Sequence, residues 1–452
     1  MKIKLLFITV VYSLFSNAQC FRYVDAGNYF VLALKSDNTL WGWGANYNGE
    51  LGDGTYQIRP TISQIGTESN WLAIATGSEH TIAIKTDGTL WAWGSNNSGQ
   101  LGDGTTIKKN IPIQIGTDND WQSVSTKAFT SFAIKNNGTL WGWGQNNISN
   151  VGLGFYSLNV TVPTQVGTES NWKNIYAGFD MTAAIKTDNT LWVWGSNLYG
   201  KLGVGGFSGN YLIPIQVGTD SNWKEVSTGY HTLALKHDGT IWAWGNNSSS
   251  ELGDNTTINK DIPTQIGTDT DWLHIFATTY SSYAIKNNGT LWTWGNNSNY
   301  EMGNGTTLNI NIPTQINNDN NWERVVSRGS HVEALKTDNS IYYWGANYGF
   351  LPATIVSLPT MMANNCSLSS ESFYTDVKVQ LFPNPSNHII TIENRSNQII
   401  TSIIFIDMLG KNVIAMDKNF DSISVENLEK GIYHVIINFE NNIIETLKFI
   451  KK

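Results

Sequence analysis

Three histidines, His80, His231 and His331, each stand 11 residues before the first aromatic of a recurring Trp-x-Trp-Gly motif. Imidazoles at one register of a repeat could converge on a metal ion or share a proton in catalysis. The same register holds Phe30, Thr130, Met181 and Ser281 in the other copies. A position that exchanges His for other residues is a packing position, because a metal or acid–base centre needs convergent partners. Asp53, Asp103 and Asp254 fall in Gly-Asp loops. A calcium loop would read Asp-x-Asp-x-Asp-Gly with a bidentate Glu, and neither accompanies them, so they read as turn residues. With no nucleophile–base pair and no phosphate-cradling loop, no catalytic residue, metal or cofactor is expected.

One register behaves differently. Directly before the histidine register stand Tyr29, Glu79, Phe129, Asp180, Tyr230, Tyr280 and Ser330. This register varies and is aromatic in four of the copies. Exposed aromatics gathered on one rim suit a binding surface. Capping of the Trp beneath is the other reading open to them. Longer loops in the third and fourth copies add a secondary surface with Phe155, Tyr156, Tyr199, Phe207 and Tyr211.

The elements that position these residues follow from the repeat. Trp-x-Trp-Gly begins at residues 41, 91, 141, 192, 242 and 292, with Tyr342-Tyr343-Trp344-Gly345 as a seventh copy. A period near 50 with all 19 Trp inside it marks radially repeated units. In the second copy Trp71–Ile74 reads as a strand and His80–Lys85 alternates. Asp87-Gly88 is a hairpin turn, Thr89–Trp93 returns, and Pro112 precedes an edge strand. Four strands per unit and seven units predict an all-β fold, a seven-bladed β-propeller of about 50-residue repeats. The two Trp of each motif are expected on alternate faces of their strand. The net charge of −8, without a Lys/Arg run, argues against a nucleic-acid partner.

Residues 1–18 read as a signal peptide: two lysines, an apolar stretch from Leu5 to Phe15, and a small residue before the cleavage site. The apolar core is too short to span a bilayer, so no transmembrane anchor is expected. The propeller is expected over 19–366, a linker over 367–376, and a β-rich domain over 377–452, a small sandwich.

Gly-x-x-His-x-x-Ala-(Ile/Leu)-Lys, the Asp-Gly turn, Trp-x-Trp-Gly and Leu-Gly-Asp-Gly together resemble the regulator of chromosome condensation repeat. That resemblance implies a seven-bladed propeller over about Phe21–Pro359. The nucleotide-exchange activity of the nuclear, basic-tailed member is not implied for an exported acidic chain, since fold alone is a weak warrant for function. The C-terminal motifs Phe382-Pro383-Asn384-Pro385, Asp407-Met408-Leu409-Gly410-Lys411 and Gly431-Ile432-Tyr433, with a basic end, resemble the type A sorting domain of type IX secretion. This implies passage across an outer membrane by the type IX machinery and removal of the domain afterwards.

Three functions compete on these residues. One is an exported, non-enzymatic module binding an extracellular protein or glycan through the rim. A second is a secreted inhibitor of an extracellular enzyme using the same aromatics, since a β-lactamase-inhibiting propeller has this repeat architecture. The third, an enzyme acting over the central channel, lacks its constellation. A monomer is expected. The two cysteines, Cys20 and Cys366, bracket the repeats. A ring brings its first and last blades together in an oxidising compartment, so a Cys20–Cys366 disulfide is expected.

Overall fold

The computed structural model describes residues 18–328, 330–347, 354–364, 367–368, 379–394, 399–407, 411–420, 422–440 and 444–452. Residues 1–17 of the signal peptide, the linker from 369 onward, Cys366 and Gly410 lie outside the described residues. The chain divides into two compact units, one ending at Leu368 and the other starting at Ser369.

The first unit is seven antiparallel sheets of four strands, each built from strands consecutive in sequence. Blade 1 comprises Phe21–Ala26, Phe30–Lys35, Leu40–Gly44 and Arg59–Gln64. Blade 7 comprises Trp322–Arg328, His331–Lys336, Ser340–Asn347 and Thr354–Asn364. The second strand of every blade is buried along its whole length, as in His80–Lys85. The fourth strand is the most exposed. It carries Pro112, Pro163, Pro214, Pro263 and Pro313, tolerable because an outer edge needs no donor on its free side. First strands face a central space of about 320 Å3 whose lining includes Asp25, Ser125, Glu225 and Arg324.

Alternation on the pleat gives each blade an aromatic face and an aliphatic face. Trp71, Trp91 and Trp93 of blade 2 pack together, and Trp71 and Trp93 meet Leu32, Leu34 and Leu51 of blade 1. On its other side Ile82, Ile84, Leu90 and Leu101 meet Trp121 and Trp143 of blade 3. The paired Trp therefore share one face rather than alternating, as residues two apart on a strand must.

Five of the seven interfaces are pinned by an indole bond to one backbone carbonyl; the indole N–H of Trp43 and of Trp294 has no partner among the described residues. The indole N–H of Trp93, Trp143, Trp194, Trp244 and Trp344 donates to the carbonyl of Glu50, Gln100, Asn150, Lys201 and Glu301 of the preceding blade, at 2.7 to 3.0 Å. Hydroxyls of Thr81, Ser131, Thr182 and Thr232 donate to the first four of these carbonyls, and Ser282 does the same to Glu251. Gly102 follows in the loop because a Cβ there would lie 2.9 Å from the Trp143 indole nitrogen, at a φ of +78° that other residues avoid.

The first Trp of each motif has a different task. In blade 2, Asp87 accepts the Thr89 hydroxyl and Thr89 accepts the Trp91 indole N–H. Lys85 lies 3.6 Å above the Trp91 ring, and Glu68 accepts from its ammonium at 2.8 Å. Lys135, Lys186, Lys236, Lys286 and Lys336 repeat the arrangement beneath Asp118, Glu169, Asp220, Asp269 and Asp319. The acidic linkers are thus lids over cation–π sandwiches rather than solvated turns alone.

Blades 1 and 7 meet without a borrowed strand. Phe21, Val24 and Trp43 pack against Val326, Leu335 and Ile341. Arg324 donates to the Val24 carbonyl and the Tyr23 hydroxyl, both at 2.9 Å.

The second unit contains a sheet of Asn412–Met416, Ile400–Ile406, Gly431–Phe439 and Ile444–Lys451 and a smaller one of Val379–Phe382, Ile389–Asn394 and Ile423–Ser424. Their shared core includes Leu381, Ile390, Phe405, Val435 and Phe449.

Two predictions follow from the seam. Ala18 pairs with Leu368 and Gln19 with Ser367, antiparallel. We propose a Cys20–Cys366 disulfide, since this pairing brings together the chain next to each cysteine. Thiol titration of the unfolded, unreduced protein should find no free thiol in a monomeric mass; two would refute the bond. Glu333 is 1% exposed and shares a strand face with Leu335 at the seam. Its Oε2 lies 3.8 Å from His331 Nε2. Burial pushes its carboxyl up to about 8 from 4.5. The neutral form is the one the fold holds, so its contribution is complete below about pH 4.5 and is lost as pH rises towards 8. Denaturation of Glu333→Gln should be flatter than that of the parent over this window, by several kcal/mol at most. Parallel profiles would show that Glu333 does not titrate there.

Candidate binding surface

The seven rim residues sit in the turn joining the first and second strands of each blade. Their backbone is fixed identically. The carbonyls of Tyr29, Glu79, Phe129, Asp180, Tyr230, Tyr280 and Ser330 each accept the N–H that follows the Gly of Trp-x-Trp-Gly, at 2.7 to 3.1 Å. The motif's Gly is required by that approach: a Cβ on Gly94 would lie 2.6 Å from the Glu79 carbonyl oxygen. With the backbone held this way, the side chains are released from structural duty. All seven reach solvent at least in part, Tyr29 being 50% and Tyr280 44% exposed.

The fold groups the rim residues of blades 4, 5 and 6. The Tyr230 ring lies 5.3 Å from Tyr280 and 6.0 Å from Phe179, which stacks on it at 29°. Tyr199, from the elaborated loop of blade 4, meets Tyr230 edge-on at 6.4 Å. Part of the secondary loop surface therefore belongs to the rim. Phe155, Tyr156 and Phe207 are exposed but make no ring contact with this cluster among the described residues. Tyr211 instead packs against the core shared by blades 4 and 5. Tyr29, Glu79, Phe129 and Ser330 lie outside the cluster; Glu79 accepts from the Asn48 amide at 3.1 Å.

Charge supports the cluster from beneath. Lys201 is fully buried and ion-paired with Asp180, and its ammonium lies 5.8 Å from the Tyr230 ring. Burial lowers the Lys201 ammonium, against the pull of Asp180. Burial, then Tyr280, Asp180 and Tyr199, raise the Tyr230 hydroxyl, so it remains a donor at neutral pH. Phe179 and Lys201 were missed by sequence reasoning. The available signal was departure from the column: Phe179 replaces Asn28, Ser78 and Ala128, and Lys201 replaces Glu50, Gln100 and Asn150.

The histidines are packing groups. His80 and His231 are wholly buried, and their Nε2 atoms lie 2.9 and 2.7 Å from Ser131 and Ser282 of the next blade. Those hydroxyls donate to carbonyls, so the imidazoles are donors through Nε2–H. Burial, then Lys127, pushes His231 down to about 3. Asp53 accepts from Asn46, Thr55 and Arg59 within its own loop. Burial alone would raise Asp53, but these bonds hold it below its ordinary value. No group of three or more His, Cys, Asp or Glu able to hold a metal occurs among the described residues.

Seven consecutive-strand blades with an invariant turn and a variable rim define a class of repeat propeller. The chain belongs to the RCC1-like domain family, whose model matches residues 8–324. A second model, the secretion system C-terminal sorting domain, matches residues 380–452 and marks delivery by type IX secretion to the cell surface or beyond. No curated protein matches the chain. Human WBSCR16 superposes with a TM-score of 0.64 at 18% identity, over 72% of this chain and 94% of that one. Yeast RCC1 (Prp20), solved bound to Kap60, gives 0.64 at 18% identity over 81% and 88%. Prp20p from Saccharomyces cerevisiae alone gives 0.62 at 20% over 81% and 90%. At such identities the likeness establishes the fold. No helix among the described residues is long and apolar enough to cross a membrane.

The sorting motifs converge within the second unit. Asn384 accepts the Ile450 N–H at 2.9 Å, and Ser386 bridges to Lys451. Phe382, Pro383, Asn384 and Pro385 are exposed beside that basic end. Lys411 donates its N–H to Asp407, Gly431 opens the longest strand of this unit, and Tyr433 packs on Phe449. Intact mass of secreted material should show loss of the residues after about 377, and deletion of this unit should trap the propeller in the periplasm. Retention of Lys452 in mature extracellular protein would count against processing.

Proposed function

We propose that the secreted propeller is a non-enzymatic recognition module that engages an extracellular protein or glycan through its rim, most of all at blades 4 to 6. The observation that carries this reading is the half-exposed ladder Phe179–Tyr230–Tyr280, joined by Tyr199 and backed by the Lys201–Asp180 pair. Rigid aromatics supply large contact area at little entropic cost, which is why Tyr and Trp dominate binding hot spots. The acidic balance and the exported location set nucleic acid aside as a partner. A secreted inhibitor of an extracellular enzyme would use the same ladder and is the second reading.

The immobilised secreted protein is used to capture partners from culture and cell-envelope fractions, and is assayed against a panel of extracellular hydrolases. Changing Phe129, Tyr230 and Tyr280 together to Ala should weaken capture, or relieve inhibition, about tenfold or more. The melting temperature should hardly move. Trp244→Ala should do the reverse, costing about 3–5 kcal/mol of stability. A triple variant that unfolds readily would make the register structural.

A further inference from the structure

Where blade 6 meets blade 7 the same rim opens into a notch of about 290 Å3. Its walls include Thr279, Tyr280, Asn296, Asn299, Glu301 and Ser330. The notch exists because the aromatic ladder stops. Phe179, Tyr230 and Tyr280 step from blade to blade, each ring covering part of the last. The next rim position is Ser330, too small to reach across, so Tyr280 keeps one side open.

The lining selects its ligand by chemistry. Among the described residues no Lys or Arg borders the notch, so a phosphate, sulfate or uronate finds no countercharge in the described lining. Tyr280 is the only large apolar group there, so an acyl chain would leave many polar groups unsatisfied. What the walls offer is one aromatic face and a dense set of small polar groups. The hydroxyls of Thr279, Tyr280 and Ser330 have no hydrogen-bond partner among the described residues. Asn296 commits its Oδ1 to the N–H and hydroxyl of Ser298, at 3.1 and 2.8 Å, which leaves its Nδ2 as a donor. Glu301 is held from behind by the Asn299 N–H at 2.7 Å and the Asn299 side-chain amide at 3.1 Å. A carboxylate so fixed can still accept further bonds from hydroxyls.

We propose that this notch binds one pyranose residue of a neutral glycan. The C–H face of the sugar lies on Tyr280, and its hydroxyls donate to Glu301 and exchange bonds with Asn296, Thr279 and Ser330. The inference rests on the reading of the rim as a recognition surface and names one ligand class for it. The volume sits at the small end of ligand sites, which suits a single ring. Glu301 is the only carboxylate of the lining. Glycoside cleavage uses a pair of carboxyls about 5–9.5 Å apart, so the sugar is held rather than cut.

The secreted protein is screened on an array of neutral gluco-, galacto- and manno-oligosaccharides together with sulfated and uronate-containing ones, and hits are measured by calorimetry. At least one neutral oligosaccharide should bind, with affinity falling about tenfold in Tyr280→Ala and in Asn296→Ala. Ser330→Tyr, which fills the notch, should abolish binding at an unchanged melting temperature. Should Ser330→Tyr unfold, Thr279→Val combined with Asn296→Ala takes its place. Absence of neutral binders, binding confined to anionic glycans, or binding that survives the filled notch would each overturn the proposal. A captured protein partner that needs Phe129, Tyr230 and Tyr280 but tolerates Ser330→Tyr would sink the notch while leaving the rim reading intact.

Discussion

The ring depends on one buried hydrogen bond made at five of its seven interfaces: the indole N–H of the second Trp reaching a carbonyl of the preceding blade, as Trp143 does to Gln100. A buried donor left unmatched costs about 1–3 kcal/mol, so each of these five contacts ties a blade to its neighbour. That carbonyl also takes the hydroxyl of Ser131, so both of its lone pairs face the next blade. Other features of the motif serve this contact. Gly102 clears room for the Trp143 indole, and the loop that carries it is tied by Asn96 to the Leu101 N–H and the Asp103 carboxylate. Stability in such a chain is a nearest-neighbour property, and a ring leaves no free end only if its last interface also forms.

Much of this was legible in the sequence because it is local or periodic. The spacing of Trp-x-Trp-Gly, the Asp-Gly turn and the alternating apolar residues of the second strand fix seven four-stranded sheets. What was not legible concerns which face and which partner each residue meets. The two Trp of a motif were expected on opposite faces, yet a two-residue period puts both toward the preceding blade. The acidic linkers look solvated in sequence, whereas Glu68 caps Lys85, whose side chain is 5% exposed between two Trp rings.

The rim shows why duplicated repeats diverge where they do. At that register the backbone carbonyl does the structural work, and any side chain allows it. The side chain is then free to vary, and Tyr, Glu, Phe, Asp and Ser stand at equivalent places. Where a change reached inward it came in pairs. Blade 4 carries Asp180 on the rim and Lys201 in a buried column otherwise held by Glu, Gln or Asn. A buried ammonium without that carboxylate would be strongly disfavoured, so the two substitutions make sense only together. Phe179 belongs to the same local departure, and it is there that the ladder starts.

The seam between blades 7 and 1 is made by different chemistry from the other interfaces. Val31 stands where Thr81, Ser131 and Thr232 supply hydroxyls, so the usual second bond to a carbonyl is lost at this position. Glu333 stands where Leu32, Ile82 and Phe132 are apolar, and its burial is tolerable only in the neutral form. In exchange, Arg324 crosses from blade 7 to the Val24 carbonyl and the Tyr23 hydroxyl, with its guanidinium 4.1 Å from the Tyr23 ring. Other propellers close by weaving a terminal strand into the first blade; here the end sheets are complete in themselves. The pairing of Gln19 with Ser367 then draws the two ends together from outside the blades. A closure that relies on an arginine clamp, a neutral glutamate and a terminal pairing is weaker chemistry than an indole bond. It is therefore the interface at which opening of the ring should begin, and a covalent link is of most use there.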